Sequence, residues 1–169
     1  MNVLVSDTSV LIDLERTRLL VPAFGCGLTM IVPDWLYRTE LETANGAYLM
    51  SLGLAVVDLT PAELTLTQEV RLERPGLSLP DAFALALATR PDHALLSGDG
   101  LLRRAATDRG LDVYGLLWLL DEMHARGVAP DLLYQGLSAL NADARCRLPK
   151  AAIRERLLRW APPPPDTTD

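Results

Sequence analysis

Val3-Leu4-Val5-Ser6-Asp7-Thr8-Ser9-Val10-Leu11-Ile12 opens on a short apolar run, breaks at a polar turn holding one acid, and resumes with apolar residues at helical spacing. A short apolar run bounded by turn residues reads as a buried strand, and the pattern from Ser9 to Leu14 reads as a helix. Leu95-Leu96-Ser97-Gly98-Asp99-Gly100 repeats the arrangement. Working outward from Val3-Leu4-Val5, further strands are expected over Thr29 to Val32, Leu54 to Leu59, Ala94 to Ser97 and Asp112 to Tyr114, with helical patterns between them. Strands alternating with helices specify an α/β fold around a parallel sheet.

The segment from Asp81 to Thr89 is apolar on all sides after its first residue, which predicts a fully buried helix. Ser78 is placed to cap it, and Pro80 falls in the first turn, where a missing N–H costs little. After Tyr114 the pattern is wholly helical, over Leu116 to Arg126, Asp131 to Leu140 and Lys150 to Trp160. One domain over 1–161 follows, with a core at 1–115 and a helical extension at 116–161. The proline run from Pro162 to Asp169 reads as a flexible tail. No internal repeat is evident.

Hydrophobic residues make up 49% of the chain, yet no apolar run reaches the roughly 18–20 residues that span a bilayer. No export signal precedes the first strand. Cys26 and Cys146 stand far apart without a cysteine or histidine at ligand spacing, which argues against a zinc site or a disulfide framework. A soluble protein of a reducing cytoplasm, with no membrane partner, is expected. The net charge of −6 opposes a nucleic-acid partner, because phosphate contacts draw on Lys and Arg. The cationic residues are, however, 15 Arg and one Lys, and they are grouped: Arg103, Arg104 and Arg109, then Arg145, Arg147, Lys150, Arg154, Arg156 and Arg159. These groups read equally as solvated helix faces and as phosphate contacts.

Four acids stand out. Asp7 and Asp99 each follow a strand and precede a helix, at the edge where open parallel sheets bind ligands. Glu40, on a helix starting near Trp35, shares a stripe with Leu36, Ala44 and Ala47 and is expected to face inward, whereas Glu42 lies four residues from Arg38 and reads as a surface ion pair. Asp81 opens the buried helix. Each acid also has a bland reading, as a helix cap for Asp7 and Asp99, a capping-box partner of Ser78 for Asp81, and a surface ion pair for Glu40. Taken together, four carboxylates at one edge would repel unless cations held them, and oxygen donors without His or Cys select Mg²⁺ or Mn²⁺. Such a site suits phosphodiester hydrolysis by a metal-activated water. Ser6, Thr8, Ser9 and Ser97 are hydroxyls beside the acids that could hold a water or a phosphate oxygen; Ser9 reads more simply as a cap.

The segments around Asp7, Glu40-Leu41, Pro80-Asp81-Ala82-Phe83-Ala84-Leu85-Ala86-Leu87-Ala88 and Leu96-Ser97-Gly98-Asp99-Gly100-Leu101-Leu102, in this order and spacing over roughly residues 1–115, resemble PIN-domain ribonucleases, including the VapC-like toxins of toxin-antitoxin pairs. The resemblance implies a Rossmann-like α/β/α sandwich with a mainly parallel five-stranded sheet. It implies Mg²⁺- or Mn²⁺-dependent endoribonuclease activity that leaves a 5′-phosphate, with Asp7, Glu40, Asp81 and Asp99 as catalytic metal ligands. Ser97, Thr8 and Ser6 would be supporting hydroxyls and Arg103 and Arg104 candidate RNA contacts. It also implies a homodimer and an antitoxin partner, although Arg103 and Arg104 stand where some members carry a further acid, and the helical end is longer than in the compact toxins. A non-catalytic PIN-like RNA-binding or scaffold module is the alternative. A haloacid-dehalogenase-type phosphatase would need an Asp where Ser9 stands. A receiver domain would need an acidic pair and a nearby Lys, and the single lysine is Lys150.

Overall fold

A computed structural model describes residues 3–163. The five strands are β1 (Val3–Ser6), β2 (Thr29–Pro33), β3 (Ala55–Val57), β4 (His93–Leu96) and β5 (Val113–Tyr114). They form one sheet in the order β3-β2-β1-β4-β5, and every neighbouring pair is parallel. Leu4 sits between Met30 on one side and Ala94 on the other. All three are buried, as the apolar runs required. The chain builds β1, β2 and β3 outward in one direction, then returns to lay β4 and β5 on the other side of β1. The order therefore reverses between β1 and β4, and in doubly wound sheets this reversal opens a crevice at the carboxyl ends of the strands.

Helices α1 (Thr8–Arg16), α2 (Leu20–Gly25), α3 (Asp34–Leu36, continued by a π turn over Tyr37–Leu41) and α4 (Gly46–Leu52) make the crossovers from β1 to β3. Helices α5 (Pro61–Glu73) and α6 (Leu79–Leu87) make the return, and α7 (Gly100–Thr107) joins β4 to β5. Right-handed crossovers in opposite directions put these two sets on opposite faces, giving an α/β/α sandwich. Helix α6 lies against β1, β2 and β4 and is covered by α5. Ala82 through Leu87 are all buried, and alanines at 82, 84 and 86 let the helix approach the sheet closely. Its neighbour α5 carries a capping box in which Thr60 and Glu63 satisfy each other's backbone N–H groups. Glu63 also binds Arg90, which donates to both of its carboxylate oxygens and to the Asp58 carbonyl.

The third strand is shorter than its apolar run suggests. Leu54 N bonds Leu49 O at 3.0 Å and closes α4 through Gly53, whose φ of +116° is left-handed, while Thr60 already caps α5. Between these two ends only Ala55–Val57 pair with β2.

Helices α8 (Leu116–Ala125), α9 (Pro130–Ala142) and α10 (Lys150–Trp160) form the expected extension. They join the same hydrophobic core as the sheet, through Leu119, Leu133, Leu137, Ile153 and Trp160. Helix α9 closes on α1, and α10 packs on α9. Gly136 permits the first contact, because a Cβ there would lie 2.7 Å from Leu19 Cδ1 and 3.1 Å from Thr17 O. Trp160, 1% exposed, meets the His124 ring edge-on at 5.8 Å, and Arg156 clamps α10 to Asp121 of α8. Among the described residues no helix is long and apolar enough to cross a membrane. Of the tail expected over 162–169, residues 164–169 lie outside the described ones.

Candidate active site

Asp7 is the residue at which β1 ends and α1 begins. Its backbone N–H extends the sheet by donating to Leu96 O of β4 at 3.0 Å, and its side chain caps α1 by accepting from Val10 N at 3.1 Å. Ser9 Oγ donates to the same oxygen, Oδ1, at 2.7 Å, and Ser97 Oγ donates to Oδ2. The carboxyl group is therefore fixed from three sides and only 4% exposed. Burial pushes its pKa above the usual aspartate value. The hydrogen bonds from Ser97, Ser9 and Val10 offset part of that shift, and the charge of Asp81 adds to it. No arginine, lysine or histidine pairs with Asp7 among the described residues.

Across the crevice, Ser97 is fully buried and links two acids. It donates to Asp7 and accepts from Asp99 N at 3.0 Å. Asp99 in turn caps α7, with Oδ1 accepting from Leu101 N at 2.9 Å and Leu102 N at 2.8 Å. Ser9 is not the cap of its helix. Its hydroxyl bridges the crevice, donating to Asp7 and accepting from Gly98 N at 3.3 Å. Spacing alone favours a cap here, because the partner in the turn after β4 is distant in sequence. Ser6 turns away from the crevice and donates to the Asp7 carbonyl at 2.9 Å.

Glu40 reaches the crevice by a different route from the one its spacing suggests. The π turn at Tyr37–Leu41 inserts an extra residue, with Glu42 N bonding Tyr37 O at 2.8 Å, so the buried positions become Leu36 and Leu41, five apart. Glu40, Ala44 and Ala47 are all exposed, and the inward stripe does not exist. Thr8 Oγ1 nevertheless donates to Glu40 Oε2 and joins it to the residue beside Asp7. Arg38 pairs with Asp34 at 3.7 Å rather than with Glu42, since the same extra residue rotates Glu42 away. Asp81, partly buried at the start of α6, accepts from Ser78 Oγ at 2.7 Å through Oδ2, while its own N–H donates to that hydroxyl at 3.2 Å.

The two arginines after Asp99 divide. Arg103 Nη1 donates to Ser97 O and Tyr114 O, both at 2.8 Å, and ties the ends of β4 and β5 together. Nη1 is thereby occupied with backbone, which the sequence pattern does not reveal. Arg104 is exposed, and its Nη1 folds back toward Gly100, 3.5 Å from where a Cβ would stand.

These residues suit a hard divalent cation. The donors are carboxylate oxygens, Asp7 is buried as an acid without a counter-charge, and Asp81 Oδ1, Asp99 Oδ2 and Glu40 Oε1 accept no hydrogen bond among the described residues. No three candidate ligands there close into a ready-made cage. Magnesium does not demand one, because it retains waters and is usually held by one or two carboxylates with substrate phosphates.

A family model described as a PIN domain matches residues 3–161, which includes the helical extension as well as the sheet. No curated protein matches the chain. The match spans both the acidic crevice at the β1/β4 reversal and the all-parallel five-stranded sheet that builds it, and the chain accordingly belongs to the PIN-domain family.

Proposed function

We propose that this chain is a Mg²⁺- or Mn²⁺-dependent ribonuclease whose acidic site is Asp7, Asp81, Asp99 and Glu40. Family membership indicates a nuclease-type function in general. The observation that carries the finer reading is the Asp7 carboxylate, 4% exposed, without a cationic partner among the described residues and bonded to Ser97, whose hydroxyl also accepts from Asp99 N. A buried acid that stays unpaired costs several kcal/mol or takes up a proton, and a bound cation removes that cost.

When bound, the metal would lower the pKa of a water and stabilise charge on the leaving oxygen. Asp7, the most rigidly held acid, would be the principal ligand, with Asp99 and Asp81 offering their free oxygens. Ser97 orients Asp7 and, through the Asp99 N–H, keeps the two acids in a fixed relation. Thr8 holds Glu40 at the mouth of the crevice, where Oε1 can hold a water or accept its proton.

Purified protein incubated with Mn²⁺ and a mixture of single-stranded and structured RNAs tests the reading, beside Asp99→Asn. Metal-dependent cleavage lost in the variant supports it. Cleavage that persists in the variant, or none with any RNA, removes it in favour of a non-catalytic module.

A further inference from the structure

Two adjoining cavities lead away from the acidic crevice on the β5 side, of about 280 and about 390 Å³. Both are bordered by Gly98 and by Asp13 of α1 on one side and by Arg147 and Leu148 on the other. The first reaches Ser9 and Asp99, and the second reaches Trp118, whose ring stacks on Tyr114 at 3.9 Å. Together they make a groove floored by the turn after β4 and walled by the segment joining α9 to α10. That wall belongs to the helical extension.

Arginine accounting singles out one side chain in this wall. Arg16, Arg38, Arg74, Arg90, Arg109, Arg126, Arg145, Arg156 and Arg159 all pair with acids. Arg145, the other arginine in the wall, is held by both oxygens of Asp143. Arg147 is exposed, borders both cavities and has no acidic partner among the described residues. Asp13, the acid on the opposite side, already faces Arg16 at 3.5 Å. A cation without an acidic partner among the described residues, in a cavity that an aromatic residue also lines, continuous with an acidic crevice, has the composition of a single-strand track, where cations meet phosphates and rings meet bases.

We infer that this groove holds the RNA strand on one side of the scissile bond, with Arg147 binding a backbone phosphate and the Trp118 ring bordering the base. The inference rests on the ribonuclease reading for its substrate, but it concerns binding and can be tested without turnover. It also gives the net charge of −6 a local answer, since the strand would meet its cation in the groove and not over the whole surface.

The test is fluorescence anisotropy of a labelled single-stranded RNA oligomer on Asp99→Asn protein, compared with Asp99→Asn carrying Arg147→Ala, Arg147→Glu or Arg147→Lys, over a salt series. Losing one phosphate contact should reduce the slope of log affinity against log salt by about 0.7. Arg147→Ala is expected to weaken binding several-fold, Arg147→Glu further, and Arg147→Lys to restore most of the slope. Because Arg147 is exposed and unpaired, these variants should fold as the parent does, which far-ultraviolet circular dichroism checks. Unchanged affinity and slope would overturn the groove, and wild-type cleavage would then still support the ribonuclease. Arg147-dependent binding without any wild-type cleavage would leave the groove standing and remove the nuclease. Faster cleavage on Arg147→Ala in the otherwise wild-type protein would mark the segment as a cover over the site and also overturn the inference.

Discussion

Replacing Asp7 with Asn should make the metal-free protein more stable at neutral pH. The amide keeps an oxygen for Ser9 Oγ at 2.7 Å and Val10 N at 3.1 Å, while Ser97 Oγ must change from donor to acceptor. All three hydrogen bonds lose their charge assistance, at about 1 kcal/mol each or about 3 kcal/mol together. Against that stands the burial of an ion, which after relaxation still costs several kcal/mol. The net gain for Asp7→Asn is about 1–2 kcal/mol, or roughly 2–8 °C in Tm for a chain of this size. The pH dependence identifies the cause. Burial raises the Asp7 pKa, so the folded wild type binds a proton more readily than the unfolded chain and regains stability as pH falls through the folded value. The advantage of the variant is therefore widest at pH 7 and closes toward about pH 4, near the ordinary aspartate value. Mn²⁺ should reverse the order, since at a hundredfold excess over Kd a ligand adds about 2.7 kcal/mol to the species that binds it. Thermal unfolding across pH 4–8, with chelator and then with Mn²⁺, reads all three effects. A variant less stable than wild type at pH 7 in chelator, or a gap that does not change with pH, would refute the reasoning.

Ser97→Ala removes a hydrogen bond that lowers the Asp7 pKa, so the acid limb of the cleavage pH profile should move to higher pH, and Ser97→Thr should largely restore it. Glu63, whose pKa is lowered to about 2 chiefly by Arg90, contributes stability that is present above its ordinary value of 4.5 and lost as pH falls toward about 2; Glu63→Gln should flatten that acid limb in urea unfolding at successive pH values. Trp160→Ala should cost about 3–5 kcal/mol by cavity formation. Trp160→Phe should cost much less, because Trp160 Nε1 is buried without a partner, and urea midpoints will rank the two. Gly46→Ala places a Cβ 2.7 Å from Leu41 O and from Tyr37 Cε2, and should lose about 1–3 kcal/mol in Tm-derived stability while lowering cleavage through a displaced Glu40.

The sheet was legible because its strands are short apolar runs, with β1, β2 and β4 largely buried, and two strand-turn-helix segments with the same acid placement pointed to one edge, whereas the strand order itself came only with the structure. Local rules also reached Asp7 and Asp99 as caps and Asp81 as the partner of the capping Ser78, and each of these acids bonds backbone N–H groups or a neighbouring hydroxyl. The rest depended on information that periodicity does not hold. A π turn carries no pattern that distinguishes it from an α-helix, so the inward direction expected for Glu40 does not hold, and the residue is exposed and meets Thr8. The bonds of Arg103 to Ser97 O and Tyr114 O left no trace in the sequence, because carbonyls are supplied by any residue and no composition marks them. The return of the α9–α10 segment to the crevice depends on Gly136, Trp160 and the Asp121 clamp, which are long-range contacts.

The extra residue in the π turn has a consequence for comparing relatives. Successive residues of an α-helix are about 100° apart around its axis. A chain shorter by one residue between Tyr37 and Leu41 would rewind that turn and carry the glutamate about 100° away from Thr8, with every acid still present in the sequence. Counting carboxylates would then report the same acids in a protein whose glutamate no longer meets Thr8, and the length of one helical turn, not the identity of a residue, would separate the two.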